Sequence, residues 1–537
     1  MLLILSARLV NDDIAMNFGP LPPSFLPLGP QRLIHFQSEL TLGECCYLTV
    51  PDDYPISEFD LRKISSAGIT LLPQPQTYRL NEAINNALDR TPDDEPVRIL
   101  FGDTLVLPVS DALKQPDIAI VQSTTTNYPW AFVETKDDGC VAFKDTPPNR
   151  LNSRRVLCGY FTFSDRALLS RSCKKNSFVE AMNFYNEHKN INCIDAEKWL
   201  DFGHLPLYFQ SKKEIIVKRA FNDVSVEGAT LVKQSDDTSK MRSEANWYQN
   251  LPPRLALHTP RFLGEIERDF QAGYKLEYLY APLLSDLGVF GQLPLGSWLE
   301  ILQGCFDYLK ECRLERPSPQ APESSPKFSK LFFQEMIVAK TWSRLSQFSK
   351  QSKIPLESKI KLNGTQYASL RNIVSRLIEM VPETTPDHIC FWHGDFFFGN
   401  VLYDFTARRV MTIDPRGQAS QGVFCLWGDY RYDIAKLSHS IIGHYDKILL
   451  GRSHLERDAK DALSWTFYVD PLPHQDVIED IFVSYVKESG GITEAELYAL
   501  TSLLFFSLLP LHEEHPERQI HFLETALELS KAAELKQ

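Results

Sequence analysis

The stretch FWHGDFFFGNVLYDFTARRVMTIDPRG, residues 391–417, concentrates side chains suited to phosphoryl transfer. Asp395 lies in a loop, Asn400 follows five positions later, and Asp414 comes fourteen beyond that, within a strand-loop-strand pattern. Phosphoryl transfer asks little covalent chemistry of a protein: an acceptor hydroxyl must be oriented and partly deprotonated, and magnesium must bridge the phosphates. A loop Asp meets the first need, and an Asn with a hairpin Asp meets the second. Upstream, Lys233 ends the strand ATLVK and Glu244 follows eleven residues later on the next helix. Such a Lys holds the α- and β-phosphates while the Glu fixes it. Each part has a bland reading as well. A His-Gly-Asp triplet alone is commonly a turn, Lys233 also reads as a surface lysine at a strand end, and Glu244 as a solvated helix residue. Asn400 and Asp414 in register with Asp395 are what separate this stretch from a turn.

The elements that must position these groups are legible from Lys212 onward. VSVEGATLVKQS reads as a hairpin with Gly228 in its turn, and TSKMRSEANWYQNLP as a helix ended by Pro252 and Pro253. YKLEYLYAPLLSDL, residues 274–287, supplies a strand and a hinge suited to adenine. From Trp298 long amphipathic helices dominate, interrupted by RPSPQAPESSP at 316–326, a Pro/Ser-rich loop expected to be mobile. WGDYRYDIAKLSHSIIGHYD, residues 427–446, adds Asp429 and Asp433, expected to brace the catalytic loop and line the acceptor pocket rather than ligate metal. Only Gly228 is offered as a phosphate-loop glycine, so Lys233 and a metal are expected to hold the phosphates.

The spacing from Asp395 to Asn400 equals that of the protein-kinase catalytic loop. Through His393-Gly394-Asp395, Asn400 and Ile413-Asp414-Pro415-Arg416-Gly417, the C-terminal part resembles the aminoglycoside phosphotransferase and choline kinase superfamily. The resemblance implies a two-lobed kinase-like domain over 216–537 that uses ATP. It implies Asp395 as catalytic base, Asn400 and Asp414 as magnesium ligands, and Lys233 with Glu244 as the phosphate clamp.

The first two hundred residues alternate apolar strands with helical stretches: LLILSA, RLIHFQSEL, CYLTV, EFDLRKISSAG, ITLLP, NEAINNALD and VRILFGD. That alternation predicts an α/β domain with a mainly parallel sheet and crossover helices. With the loop and PPSFLPLGPQRLIHFQ that follow the first strand, it resembles the sugar-phosphate nucleotidyltransferases in their Rossmann-like fold, here over 1–215. In that family the loop after the first strand is Gly-rich and basic, because backbone N–H groups must approach a triphosphate closely. This chain departs: SARLVNDDIAMNFGP has one glycine and an Asn11-Asp12-Asp13 run, Pro23 stands where a lysine is expected, and Arg8 is the nearby cation. The metal side is kept better. Asp103 closes the apolar strand of ILFGDTLV, and WLDFGHLPLYFQSKK supplies Asp201 as second magnesium ligand, with His204 nearby; the resemblance implies Arg8 and Lys212 as substrate contacts. Asp103 fits a helix N-cap equally well.

The order of domains, with a boundary at 212–220, resembles the bifunctional proteins of bacterial capsule and surface-polysaccharide clusters. It implies phosphorylation of a sugar or polyol, then coupling to a nucleotide, CTP first, with GTP or UTP open; fusion raises the effective concentration of the intermediate. The alternative is a kinase whose N-terminal domain is a degenerate, non-catalytic nucleotide-binding or scaffolding module.

Composition agrees with a folded enzyme. Of 537 residues 43% are hydrophobic and 11% aromatic, too apolar for general disorder. A formal charge of −13 opposes attraction to nucleic acid or anionic lipid. The ten cysteines are scattered and the adjacent Cys45 and Cys46 suit no zinc knuckle, so reduced thiols are expected. MLLILSARLV lacks a basic start and reads as a buried strand. The most apolar run, LTSLLFFSLLPL, is about 12 residues and meets Pro510, short of the roughly 20 needed to cross a bilayer, so no transmembrane segment is expected. The expectation is a cytoplasmic protein, with a homo-oligomer compatible.

Overall fold

The computed structural model describes residues 1–93, 96–135, 141–145, 154–219, 223–268, 271–362, 364–420, 423–457, 464–471 and 473–537. The chain is mixed α/β and divides into two compact units, Met1–Ile216 and Val217–Gln537.

In the first unit the opening strand Leu2–Leu5 is buried throughout and pairs parallel with Cys46–Pro51 on one side and Val97–Phe101 on the other. Cys46–Pro51 pairs parallel with Ile69–Gln74. Helices form the crossovers because their starts are capped and one face is apolar: Ser57 accepts from the Asp60 N–H at the head of Glu58–Ser66, and Leu80–Asp89 turns Ile84, Ala87 and Leu88 into the core. The expected parallel pairing holds for these four strands and for the pair Asn192–Asp195 with Ile118–Thr124. The long strand Arg154–Phe163 runs antiparallel to Val97–Phe101, Ile118–Thr124 and Phe132–Thr135, so the nine-stranded sheet is mixed. One strand serves several neighbours because its register shifts between Leu157 and Phe161. A separate antiparallel pair, Thr104–Leu107 with Lys198–Asp201, matches Thr104 to Asp201.

The second unit begins with a four-stranded antiparallel sheet in the order Asp223–Glu227, Thr230–Ser235, Gln271–Glu277, Phe262–Arg268, with Gly228 at φ +58° in the first turn. The helix Thr238–Gln249, capped by Asp237, follows the second strand. Helices then dominate, among them Leu295–Leu314, Lys340–Ser352, Tyr430–Ile441, Glu494–Leu508 and Pro516–Lys536. The hairpin Val401–Asp404 and Arg409–Thr412 lies between the catalytic-loop candidate and Asp414. The Pro/Ser-rich stretch folds on itself: the Ser324 hydroxyl donates to the Ser318 carbonyl, and Pro322–Ser324 forms a 3₁₀ turn.

The apolar stretch is longer than the run read from the sequence: the α-helix Glu494–Leu508 ends before Pro510, and a 3₁₀ segment, Leu509–His512, continues it. Glu494–His512 is therefore long and apolar enough, by length and composition, to cross a membrane, yet 78% of its apolar window is buried inside the protein, as in a core helix. Nine cysteines among the described residues are free, eight of them buried or half-buried.

Candidate functional site

In the second unit, strand register delivers the first cation. Lys233 pairs with Tyr274 across the sheet, and its ammonium lies 2.7 Å from Glu244 Oε2 and 3.0 Å from Asp414 Oδ1. Glu244 is 2% exposed and also accepts from the Tyr274 hydroxyl at 2.6 Å. Burial raises its pKa. Burial works against the charge of Lys233, but Asp414 and Glu244 outweigh it and its pKa is raised. Gly417 lets the segment after Asp414 come this close: its φ is +62°, and a Cβ there would lie 2.2 Å from the Ser243 carbonyl oxygen on the Glu244 helix. Asp414 itself adopts φ +55°, a conformation uncommon outside glycine and frequent at functional positions.

The loop bearing Asp395 is held from below. His393 is fully buried, and its N–H and that of Gly394 donate to the two carboxylate oxygens of Asp433, each at 2.8 Å. The His393 ring meets the Ile413 carbonyl at 3.0 Å, tying this loop to the segment of Asp414, and burial pushes its pKa down to about 4. Asp433 is 1% exposed, and burial pushes it up to about 7 against the two N–H groups that favour its charge.

Asp395 then faces its partners. The Asn400 amide donates to the Asp395 carbonyl at 3.0 Å and to its Oδ2 at 3.2 Å, and Lys436 lies 2.7 Å from Oδ1. Burial alone would raise the Asp395 pKa, but the charge and hydrogen bond of Lys436 prevail and it is lowered. Asp395 is thus a carboxylate at neutral pH, able to accept a hydrogen bond from an acceptor hydroxyl. The Ile413 N–H donates to the Asn400 carbonyl at 3.0 Å, which sets Asp414 next to Asn400 in space. A cavity of about 380 Å³ is lined by Lys233, Glu244, Asp395, Asn400 and Asp414 together.

The donor set suits magnesium. Because the Asn400 nitrogen is committed to Asp395, its amide oxygen is left for a cation, and Asp414 contributes a half-exposed carboxylate. Among the described residues no group of three or more His, Cys, Asp or Glu is placed to hold a metal. A magnesium ion here would take its remaining ligands from water and phosphate, as this ion ordinarily does.

Of the two acids expected to brace the loop and line the pocket, only Asp433 braces, and neither lines this cavity. Asp429 instead caps the helix Tyr430–Ile441, pairs with Arg431 at 2.6 Å and accepts from Thr384 at 2.7 Å. Lys436 was not singled out in the sequence. Its signal was the i, i+3 spacing from Asp433, which puts both on one helical face.

In the first unit, Asp103 and Asp201 close the paired strands, and the Phe202 N–H donates to the Asp103 carbonyl at 2.8 Å. Gly203 makes room, since a Cβ there would lie 2.4 Å from Asp103 Oδ2. Burial, and then the charge of Asp201, push the Asp103 carboxyl up to about 6. Asp201 accepts from the Trp130 indole and the Gly203 N–H, both at 2.9 Å, and lies 3.2 Å from His204 Nδ1, whose pKa it raises. A cavity of about 290 Å³ is lined by Arg8, Pro23 and Asp103. Arg8 is exposed and donates to the Tyr78 carbonyl at 3.0 Å. Lys212 does not line this cavity. Its helix, Leu205–Arg219, turns it inward to 5% exposure with its ammonium 5.9 Å from the centre of the Tyr208 ring, so the expected substrate contact is corrected.

No family model and no curated protein matches the chain. Solved structures similar to it include an aminoglycoside-3'-phosphotransferase of type VIII, at 15% identity over 55% of this chain and 97% of that one, with a TM-score of 0.32. CMP:2-keto-3-deoxy-manno-octonic acid synthetase complexed with CTP is 12% identical over 41% of this chain and 99% of that one, TM-score 0.30. The inositol-1-phosphate CTP transferase from T. maritima is 12% identical over 41% and 97%, TM-score 0.31.

Proposed function

We propose that the chain is a bifunctional transferase. Its second unit, a two-lobed kinase-like domain, phosphorylates a sugar or polyol with ATP. Its first unit, a Rossmann-like nucleotidyltransferase domain, couples the product to a nucleotide, CTP first, toward surface-polysaccharide synthesis. The observation that carries the kinase reading is the meeting of Lys233, Glu244, Asp395, Asn400 and Asp414 on one cavity. Lys233, held by Glu244, neutralises nucleotide phosphates, and Asn400 orients Asp395. The acceptor hydroxyl donates to Asp395; as its oxygen bonds to the γ-phosphorus and the bond to the β–γ bridging oxygen breaks, ADP leaves and the proton passes to Asp395. Asn400 and Asp414 would hold a magnesium ion, whose chemistry there would be neutralisation of phosphate charge.

Asp395→Asn is the test. Loss of the base lowers kcat by at least about a hundredfold with little change in melting temperature. Near-normal turnover by the folded variant would sink the assignment.

The second reading, a kinase with a non-catalytic first unit, is favoured by the buried Lys212 and by Pro23 in the lining of the Asp103 cavity. Pyrophosphate release decides between them. If the wild-type protein releases none with any nucleoside triphosphate and phosphorylated product, the first unit is a binding module.

A further inference from the structure

The cavity that holds Asp395 has a second set of charges. Lys340 opens the helix Lys340–Ser352, and Arg344, one turn later, shares its face. A six-residue π turn, Gln334–Ala339, feeds directly into that helix, a feature frequent at functional positions. Arg416 follows Asp414, and all three cations line the same cavity as Asp395 and Lys436. Lys233 is matched by Glu244 and Asp414, and Lys436 by Asp395. Among the described residues no carboxylate lies within 4.0 Å of Lys340, Arg344 or Arg416. Lys340 donates instead to the Tyr432 hydroxyl at 2.7 Å, Arg344 to the Ser507 carbonyl at 3.4 Å, and Arg416 to the Gln418 carbonyl at 2.9 Å. Burial, and then the like charges of Arg416 and Lys436, push Lys340 down to about 8 despite Tyr432. His439 and His512 also line the cavity, but burial keeps them neutral.

Three partly desolvated cations without a carboxylate partner destabilise the pocket that holds them, and an anionic ligand removes that cost. We propose that the acceptor is itself an anion, a hydroxyl compound carrying a carboxylate or a phosphate that Lys340, Arg344 and Arg416 seat in the cavity of Asp395. The inference rests on the kinase reading of that cavity. It excludes amino-bearing acceptors, whose ammonium these side chains would repel, and it disfavours neutral polyols.

The test uses the full-length protein loaded with magnesium and ADP, titrated calorimetrically with gluconate, glucose 6-phosphate, glucitol and glucosamine. The expected result is binding of one or both anions at least about tenfold tighter than glucitol, and no binding of glucosamine. Arg344→Gln should weaken the anion by about tenfold or more, the loss expected for one hydrogen bond to a charged group, with ADP affinity and melting temperature unchanged. Gluconate against glucose 6-phosphate separates the two anion types. Failure of both anions, equal binding of glucitol or glucosamine, or displacement of ADP by the anion would each overturn the proposal. Because binding is read without turnover, an anion that seats beside ADP while no acceptor is ever phosphorylated sinks the kinase reading and leaves the anion site standing.

Discussion

Asp433→Asn isolates the support under the Asp395 loop from the chemistry proposed above it. The substitution preserves shape but exchanges one carboxylate oxygen for an NH₂ group, so either the His393 or the Gly394 N–H, each now bonded at 2.8 Å, faces a donor. At 1% exposure no water reaches the site freely, and an unsatisfied buried donor costs about 1–3 kcal/mol. For a unit of this size that lowers the melting temperature by roughly 1.5–4.5 °C. The strain falls on the two residues immediately before Asp395, and a displacement of about 1 Å in a reacting group can cost around a hundredfold in rate. We expect kcat for ATP-dependent phosphorylation to fall by at least about tenfold while KM for ATP holds, because Lys233 and Glu244 are seated elsewhere. Asp429→Asn is the control. It breaks the buried pair with Arg431, a loss of about 3–5 kcal/mol, without touching the loop. Steady-state ADP release and calorimetry on both variants give the answer. If Asp429→Asn lowers kcat as much as Asp433→Asn, or if Asp433→Asn melts early at full kcat, the loop-anchoring argument is wrong.

Asp414→Ala removes a metal ligand candidate and one partner of Lys233; activity should be abolished or should need far more magnesium, and an unchanged magnesium titration would count against the assignment. Asp103→Ala should leave phosphorylation intact while stopping nucleotide coupling, with the phosphorylated intermediate accumulating by mass spectrometry; continued pyrophosphate release would remove Asp103 from the reaction. Acid should destabilise the second unit. Burial pushes His393, His444, His512 and His521 down to about 4, 3, 4 and 4, and lowers His439 as well. Below the unfolded value of about 6.5 the unfolded chain takes up more protons than the folded one, so this stability is whole above about pH 6.5 and is lost as pH falls through the folded values. Asp433 and Asp446, raised to about 7, and Glu479, raised to about 6, oppose it but are fewer. Calorimetry from pH 7 to 4.5 should show a falling melting temperature, and a flat profile would refute the balance.

The pattern of types and spacings was enough, by itself, to single out Lys233, Glu244, Asp395, Asn400 and Asp414, because each sits at a strand end, helix face or loop whose local signal is strong. It was also enough to place the buried first strand, the helix of EFDLRKISSAG and the hairpin at Gly228. Long-range pairing was out of reach. The antiparallel strand Arg154–Phe163, with its register shift, carries the same apolar pattern as a parallel strand would, so only tertiary pairing made the sheet mixed. Lys212 and Lys436 are both helix lysines in sequence; packing turned one onto Tyr208 and the other onto Asp395. The cationic wall of Lys340, Arg344 and Arg416 comes from segments more than seventy residues apart, and charge carries no sequence periodicity that reveals such a meeting. Local physics chose the groups, and the fold decided which of them share a cavity.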